Sequence, residues 1–166
     1  MDSATVSMIP TKFTVNDAIS RVETCIYNLR KGWFENPDYE VTEQPHQMHG
    51  IEWALYKEHG YFKNSSGELI SQKRCGMICD EMGLGKTTVA IGTIIANYQR
   101  GMKTLIVVPP ALLNQWVEKI QNWVGEMPYV FHGSKAKVSL DKFKYSLEKH
   151  CIVITTYSMV STRQRS

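Results

Sequence analysis

The stretch Asp80-Glu81-Met82-Gly83-Leu84-Gly85-Lys86-Thr87-Thr88 constrains this chain more than any other. It follows a short apolar run, Cys75-Gly76-Met77-Ile78-Cys79, that reads as a strand. It leads into Val89-Ala90-Ile91-Gly92-Thr93-Ile94-Ile95-Ala96, which reads as a helix. Strand, glycine turn with Lys-Thr, then helix is the layout of a phosphate-binding loop. Gly83 and Gly85 permit backbone conformations barred to other residues and let N–H groups approach an anion closely. A helix beginning near Lys86 aims its unpaired N–H groups and its positive dipole end at the same anion. Lys86 supplies a point charge for β- and γ-phosphate oxygens, and the Thr87 hydroxyl suits the shell of a Mg²⁺ ion. Asp80 stands where the general Gly-x-x-x-x-Gly-Lys-Ser/Thr pattern has its first glycine, so only the second half of that pattern is literal. With glycine at about 7% of residues, Gly-x-Gly-Lys-Thr arises by chance in on the order of one such chain in a hundred.

The segments around this loop alternate between strand and helix patterns. Thr14-Val15-Asn16-Asp17 has capping-box spacing, and Ile19, Val22, Ile26 and Leu29 follow at helical intervals up to Gly32. Residues 1–12 show no periodicity, and residues 33–43 form an aromatic and acidic connector. A second helix is expected from about His46 to residue 58, and residues 61–73 read as a polar loop. Thr104-Leu105-Ile106-Val107-Val108 is a continuous β-branched run, expected to be a strand buried on both faces. A helix over residues 112–123 follows it, then a short strand at Tyr129-Val130-Phe131. Residues 139–149 carry helical spacing, with Leu140, Phe143 and Leu147 inward and lysines outward. Cys151-Ile152-Val153-Ile154-Thr155 is another buried strand. Such alternation implies an α/β fold with a mainly parallel sheet flanked by helices. Ligands then bind at the strands' carboxyl ends, in the loops after Cys79, Val108 and Thr155. Residues 1–44 are expected to be a helical extension preceding the main lobe.

Composition excludes several classes. With 43% hydrophobic and 21% charged residues over 166, the chain is globular, with room for about one domain. A net charge of +3 is too mild to argue for nucleic acid unaided. No secretory signal opens the chain, and its longest apolar run contains Pro109 and Pro110, far short of a membrane span. A soluble intracellular protein is expected. The cysteines Cys25, Cys75, Cys79 and Cys151 lack zinc-finger spacing and read as reduced core residues. His46 and His49 share a helix face without a second ligand pair, so no metal is expected there. Lys135, Lys137, Lys142, Lys144 and Lys149 read as a solvated face balanced by Asp141 and Glu148.

Taken together, these residues resemble the first RecA-like motor lobe of the Swi/Snf-type branch of helicase superfamily two. Residues 80–87 are close to that branch's motif I, whose members carry an acidic pair where Asp80 and Glu81 stand. Pro45-His46-Gln47, followed by Gly50-Ile51-Glu52-Trp53, resembles the Q motif, with Gln47 in the adenine-reading place. Residues 105–116 resemble motif Ia, His132-Gly133-Ser134 a family His-Gly turn, and Val153-Ile154-Thr155-Thr156-Tyr157 motif Ib. The resemblance covers residues 45–160. It implies an ATP-binding and Mg²⁺-binding site built from Gln47 and residues 80–88, including Met82, Leu84 and Thr88. It also implies phosphate contacts to duplex DNA from Pro109, Thr155, Thr156, Tyr157 and Ser158, which carry no sequence information. The full motor would translocate on double-stranded DNA to remodel chromatin or protein–DNA complexes, with nucleosomes or DNA-bound proteins as partners. Its place would be the nucleus, or the cytoplasm or virion compartment in a prokaryotic or viral source.

Hydrolysis needs a carboxylate for the metal, a group that orients water, and a cation for the charge growing on the γ-phosphate. The family draws the first two from an Asp-Glu-x-His box after motif Ib and the cation from a second lobe. No Asp-Glu-x-His occurs in this sequence. The chain is therefore expected to be the N-terminal, ATP-binding part of a longer motor, residues 45–166 forming an incomplete first lobe that binds ATP without turning it over. Two other classes share the loop. One is an unrelated P-loop kinase or GTPase, although the Asn-Lys-x-Asp of a guanine site is absent. The other is a non-catalytic nucleotide- or nucleic-acid-binding module complete at this length.

Overall fold

The computed structural model of the chain describes residues 13–99, 101–133 and 140–161. The loose segment expected before residue 13, Arg100, Ser134, Lys135, Lys137 and the side chains of Leu140, Phe143 and Leu147 lie outside that description.

Helix α1 (Val15–Leu29) opens with the expected capping box. The Thr14 hydroxyl accepts from the Asp17 N–H at 3.2 Å, and Asp17 Oδ2 accepts from the Thr14 N–H at 2.8 Å. Ala18, Val22, Cys25 and Leu29 form its buried stripe. The helix does not stop at Gly32 but widens into a π-helical turn, Arg30–Phe34. That turn carries Trp33 into the core, 1% exposed, against Phe34 and Trp123. Helix α2 (Pro45–Glu58) begins with a proline in its first turn, where no N–H partner is needed.

The segment expected to be a polar loop is a hairpin, β1 (Tyr61–Lys63) antiparallel to β2 (Leu69–Ser71). Its turn is closed by the Asn64 side chain, whose Oδ1 accepts from the N–H groups of Ser66 and Glu68 at 3.0 and 2.9 Å. An asparagine that mimics a backbone turn lets three residues on either side pair, despite the polar composition.

The remaining elements are α3 (Lys86–Ala96), β3 (Thr104–Val108), α4 (Leu113–Val124) after the 3₁₀ turn Pro110–Leu112, β4 (Tyr129–Phe131), α5 (Leu140–Lys149), β5 (Ile152–Thr156) and the short α6 (Tyr157–Val160). Strands β3, β5 and β4 form a parallel sheet in that spatial order. The α/β expectation holds, with β5 central and buried along its whole length.

Three further expectations fail. Residues 75–79 form no strand, and Met77 is 79% exposed. The run has one β-branched residue and no ladder partner among the described strands, and a strand is stabilised chiefly by its neighbours. It runs instead against α2, where Gly76 lies on the Trp53 ring. Consequently Cys75 and Cys79 are exposed and Cys151 is half-buried, so of the four cysteines only Cys25 joins the core. Strand β3 is not buried on both faces either. It pairs only with β5 among the described residues, and Leu105 is 60% exposed.

Helix α3 connects this sheet to the loop. Its last turn lies by the strands' amino ends: the Tyr98 hydroxyl is 3.3 Å from Cys151 Sγ, and Ile94, Ile95 and Tyr98 line a cavity of about 210 Å³ with Thr104 and Ile152. Val89 and Ile91 share one core with Ile106, Val108, Ile152 and Ile154. Eleven residues at ~1.5 Å rise match five strand residues at ~3.3 Å. Helix α3 thus runs back along the sheet and presents its first turn at the carboxyl edge. No described helix is long and apolar enough to cross a membrane.

Gly92 sets how closely α3 approaches its neighbours. A Cβ there would stand 2.6 Å from Ile51 Cδ1 and 3.0 Å from Trp33 Cζ3, both residues buried. Alanine would gain about 1 kcal/mol of helix propensity, but overpacking costs about 1–3 kcal/mol. Urea denaturation of Gly92→Ala is expected to show a net loss of about 1 kcal/mol. A stabilised variant would mean that the three helices are looser than this packing implies.

Candidate nucleotide and duplex site

The loop before α3 is shaped by two glycines in the left-handed region, Gly83 at φ 92° and Gly85 at φ 84°. Gly85 is the N-cap of α3 and offers no capping side chain. Helical bonding starts with Val89 N–H to Gly85 O at 3.1 Å. The amides of Gly85, Lys86, Thr87 and Thr88 therefore precede the first intrahelical bond, the four orphan donors of a helix start.

Lys86 Nζ donates to the carbonyls of Asp80 and Glu81, each at 2.8 Å. Asp80 and Glu81 thus serve the loop through their backbones, while their carboxylates face solvent. Met82 is 96% exposed and Leu84 41%. Thr87 is half-buried, with no hydrogen bond to its hydroxyl among the described residues, and Thr88 turns inward at 9% exposure.

Gln47, the expected adenine reader, lies beside this loop. Its Nε2 donates to Leu84 O at 3.3 Å and crowds the position of a Cβ on Gly85. A carboxamide has two N–H groups and an acceptor oxygen, so one donor and the oxygen are left for a base edge. A residue not expected at the site, His46, holds the same carbonyl, with Nε2 at 3.0 Å from Leu84 O. Nothing in a lone histidine beside Gln47 marks it for this role, since its partner lies 38 positions away.

At the carboxyl ends of β3 and β5 the register sets Val108 beside Thr156. Pro109 and Tyr157 therefore emerge from adjacent strands, about 5 Å apart across the ladder. Pro109 and Ser158 are exposed, and Tyr157 is 60% exposed. The two threonines named from the sequence are buried, Thr155 at 1% and Thr156 at 0%. Thr155 Oγ1 donates to Phe131 O at 2.7 Å, tying β5 to β4. Thr156 Oγ1 is 3.1 Å from His132 Nδ1 and 3.1 Å from Ser158 Oγ. These hydroxyls face protein, so the exposed side chains of this edge are Pro109, Tyr157 and Ser158. Among the described residues, no group of three or more His, Cys, Asp or Glu residues is placed to hold a metal ion.

Comparison with known proteins places the chain's sequence and fold. The SNF2-related domain model matches residues 46–166. An ATP-dependent helicase of Schizosaccharomyces pombe is 31% identical over 127 residues, 72% of this chain and 11% of its own length. The Bos taurus SWI/SNF-related matrix-associated actin-dependent regulator of chromatin subfamily A containing DEAD/H box 1 is 27% identical over 156 residues. That match takes in 87% of this chain but 14% of the bovine protein, so the chain spans about a seventh of that relative. Among solved structures, the Sulfolobus solfataricus SWI2/SNF2 ATPase core in complex with dsDNA superposes with a TM-score of 0.50 at 22% identity. It covers 76% of this chain and 24% of that one, a likeness of fold.

The His132–Thr156–Ser158 chain is testable by itself. Thr156→Val keeps the volume but removes the shared hydroxyl, leaving His132 Nδ1 without its partner in a half-buried position. A stability loss of about 1–3 kcal/mol is expected in urea denaturation. An unchanged midpoint would mean that these bonds contribute nothing to holding β4, β5 and α6 together.

Proposed function

This chain belongs to the SNF2-related domain family, and from that premise we propose that it is the ATP-binding part of a Swi/Snf-type, DNA-dependent ATPase that moves along double-stranded DNA. The observation that carries the reading is the uncapped start of α3 under a two-glycine loop, with Lys86 resting on two carbonyl oxygens. In this reading Lys86 exchanges the Asp80 and Glu81 carbonyls for β- and γ-phosphate oxygens. The Gly85 to Thr88 amides face the same oxygens with the positive end of the α3 dipole behind them. Gln47 reads the adenine edge with the donor and acceptor left free by Leu84. The half-buried Thr87 hydroxyl, without a hydrogen bond among the described residues, would be a ligand of Mg²⁺, which would supply charge neutralisation to the phosphates.

Duplex DNA lies along the carboxyl edge of β3 and β5. Tyr157 and Ser158 there contact the backbone, with the Ser158 hydroxyl oriented by Thr156 and Pro109 flanking it. Backbone contacts of this kind suit a motor that must not stop at particular sequences. Chromatin or other protein–DNA complexes as substrates, a second motor lobe in the same protein and a nuclear site of action complete the proposal. The naming of the bovine relative as a chromatin regulator supports the first and last of these, and the small share of that relative which the chain spans, 14%, leaves room for the second lobe.

Two expected outcomes test the reading. Titration with a fluorescent ATP analogue should show binding that weakens about tenfold to a hundredfold in Lys86→Ala, the range for a lost charge-assisted contact. No phosphate release is expected from the chain, since it lacks an Asp-Glu-x-His box. Undiminished ATP binding by Lys86→Ala would remove the nucleotide assignment. Separately, duplex binding measured against salt should weaken in Tyr157→Ala equally for unrelated sequences, with ATP affinity unchanged. A loss confined to one duplex sequence, or none, would place the DNA elsewhere.

A further inference from the structure

The loop that carries Lys86 is held from outside itself. Leu84 lies between two glycines in the left-handed region, so each peptide beside it is bounded on one side by a residue with no Cβ to restrict its rotation. A Cβ built on Gly83 would meet nothing within 4 Å. The Met82 side chain is 96% exposed and that of Leu84 41%. The loop's own hydrogen bonds, Leu84 N–H to Glu81 O at 3.4 Å and Lys86 Nζ to the Asp80 and Glu81 carbonyls, leave the Leu84 carbonyl to partners outside the loop. The orientation of that carbonyl matters. In a trans peptide the carbonyl and the N–H point in opposite directions. A Leu84 carbonyl turned toward the phosphates would repel them and remove one donor. A carbonyl turned toward α2 leaves the Gly85 N–H facing the anion.

Two side chains from the first turn of α2 take that carbonyl: His46 Nε2 at 3.0 Å and Gln47 Nε2 at 3.3 Å. A carbonyl oxygen only accepts, so the His46 ring carries a hydrogen on Nε2. The shorter contact belongs to the residue that has no base-reading role in the proposed site.

We propose that His46 is a positioning residue for the phosphate loop: its hydrogen bond to Leu84 O sets the Leu84–Gly85 peptide plane and so aims the Gly85 amide at the bound phosphates. The proposal rests on the reading of this loop as a triphosphate site. It adds a residue that acts on the phosphates through the backbone and is indifferent to the base. His46 and Gln47, neighbours on one helical turn, thereby divide two tasks. Gln47 bridges loop and base, whereas His46 serves the loop alone.

The test uses the 166-residue chain with ATP, GTP and inorganic triphosphate as probes, read by calorimetry and by the amide resonance of Gly85 in a nitrogen–proton correlation spectrum. His46→Ala should weaken ATP, GTP and inorganic triphosphate by one common factor of about five, the worth of a single net hydrogen bond. The ATP-over-GTP preference should stay at the wild-type ratio, and the shift of the Gly85 amide on adding inorganic triphosphate should shrink. His46→Phe, which keeps a ring but no donor, should match His46→Ala, and His46→Gln should recover most of the affinity. Gln47→Ala should instead lower the ATP-over-GTP preference.

Wild-type triphosphate affinity in both His46→Ala and His46→Phe would overturn the proposal. So would a loss confined to ATP, which would make His46 a base contact. A His46→Gln variant as weak as alanine, or a Gly85 resonance that responds as in wild type, would overturn it too. Inorganic triphosphate binding that survives Lys86→Ala would show that the phosphate-loop reading itself has failed, a result distinct from any of these.

Discussion

A helix whose first amides have no partner is a costly way to begin one, and α3 begins that way. A serine or aspartate at position 85 would cap it and contribute about 1 kcal/mol. Such a side chain would also fill the space that an anion needs, and it could not follow the left-handed backbone of Gly85 without strain. The helix persists because its next two turns are anchored. Val89 and Ile91 are fully buried, and each apolar side chain removed from water is worth roughly 1.5–3 kcal/mol. Burial of the helix body thus outweighs the missing cap. The open amino end can stay open, and the rest of the molecule is arranged to keep it so.

The supports come from both sides of α3. Against one side lie α1, the π-turn and α2, with Trp33 and Ile51 meeting the helix at Gly92, where the absence of a side chain allows contact. The same α2 sends His46 and Gln47 to the loop from its first turn. A single helix therefore links the core to the Leu84–Gly85 peptide of the loop. Against the other side lies the sheet, with β5 at its centre. Because β5 is buried throughout, every polar group on it needs a partner. The two threonine hydroxyls find theirs in Phe131 O and in His132 and Ser158. Those bonds fix the exit of the chain into Tyr157 and Ser158, so satisfying a buried strand also shapes the exposed edge proposed for DNA.

Much of this was legible from local patterns. The capping box at Thr14, the helix after Lys86, the glycine turn and the alternation of strands with helices all appear where the residues place them. Each depends on residues within four or five positions of one another. Gln47 was found beside the loop because a resemblance, not spacing alone, pointed to it. His46 was missed, since its partner is a carbonyl and carbonyls carry no sequence signature. Thr155 and Thr156 were read as surface donors from the company they keep, and their hydroxyls proved to be structural. A hairpin was read as a loop because one asparagine side chain, closing a turn, outweighed the polar residues around it.

By itself, then, the sequence determined where the two-glycine loop opens a helix, which segments are helices, and that the sheet is parallel, because near-neighbour chemistry decides each of these. Tertiary structure alone decided that β5 is central and β3 an edge among the described strands, since an apolar run reads the same in either place. It also decided that residues 75–79 lie against α2 without forming a strand, because a ladder needs a partner that no local pattern can supply. And it decided which way the Leu84 carbonyl faces, an outcome set by two side chains 37 and 38 residues distant. In each case the deciding contact joins residues far apart in the chain, and only folding brings them within reach.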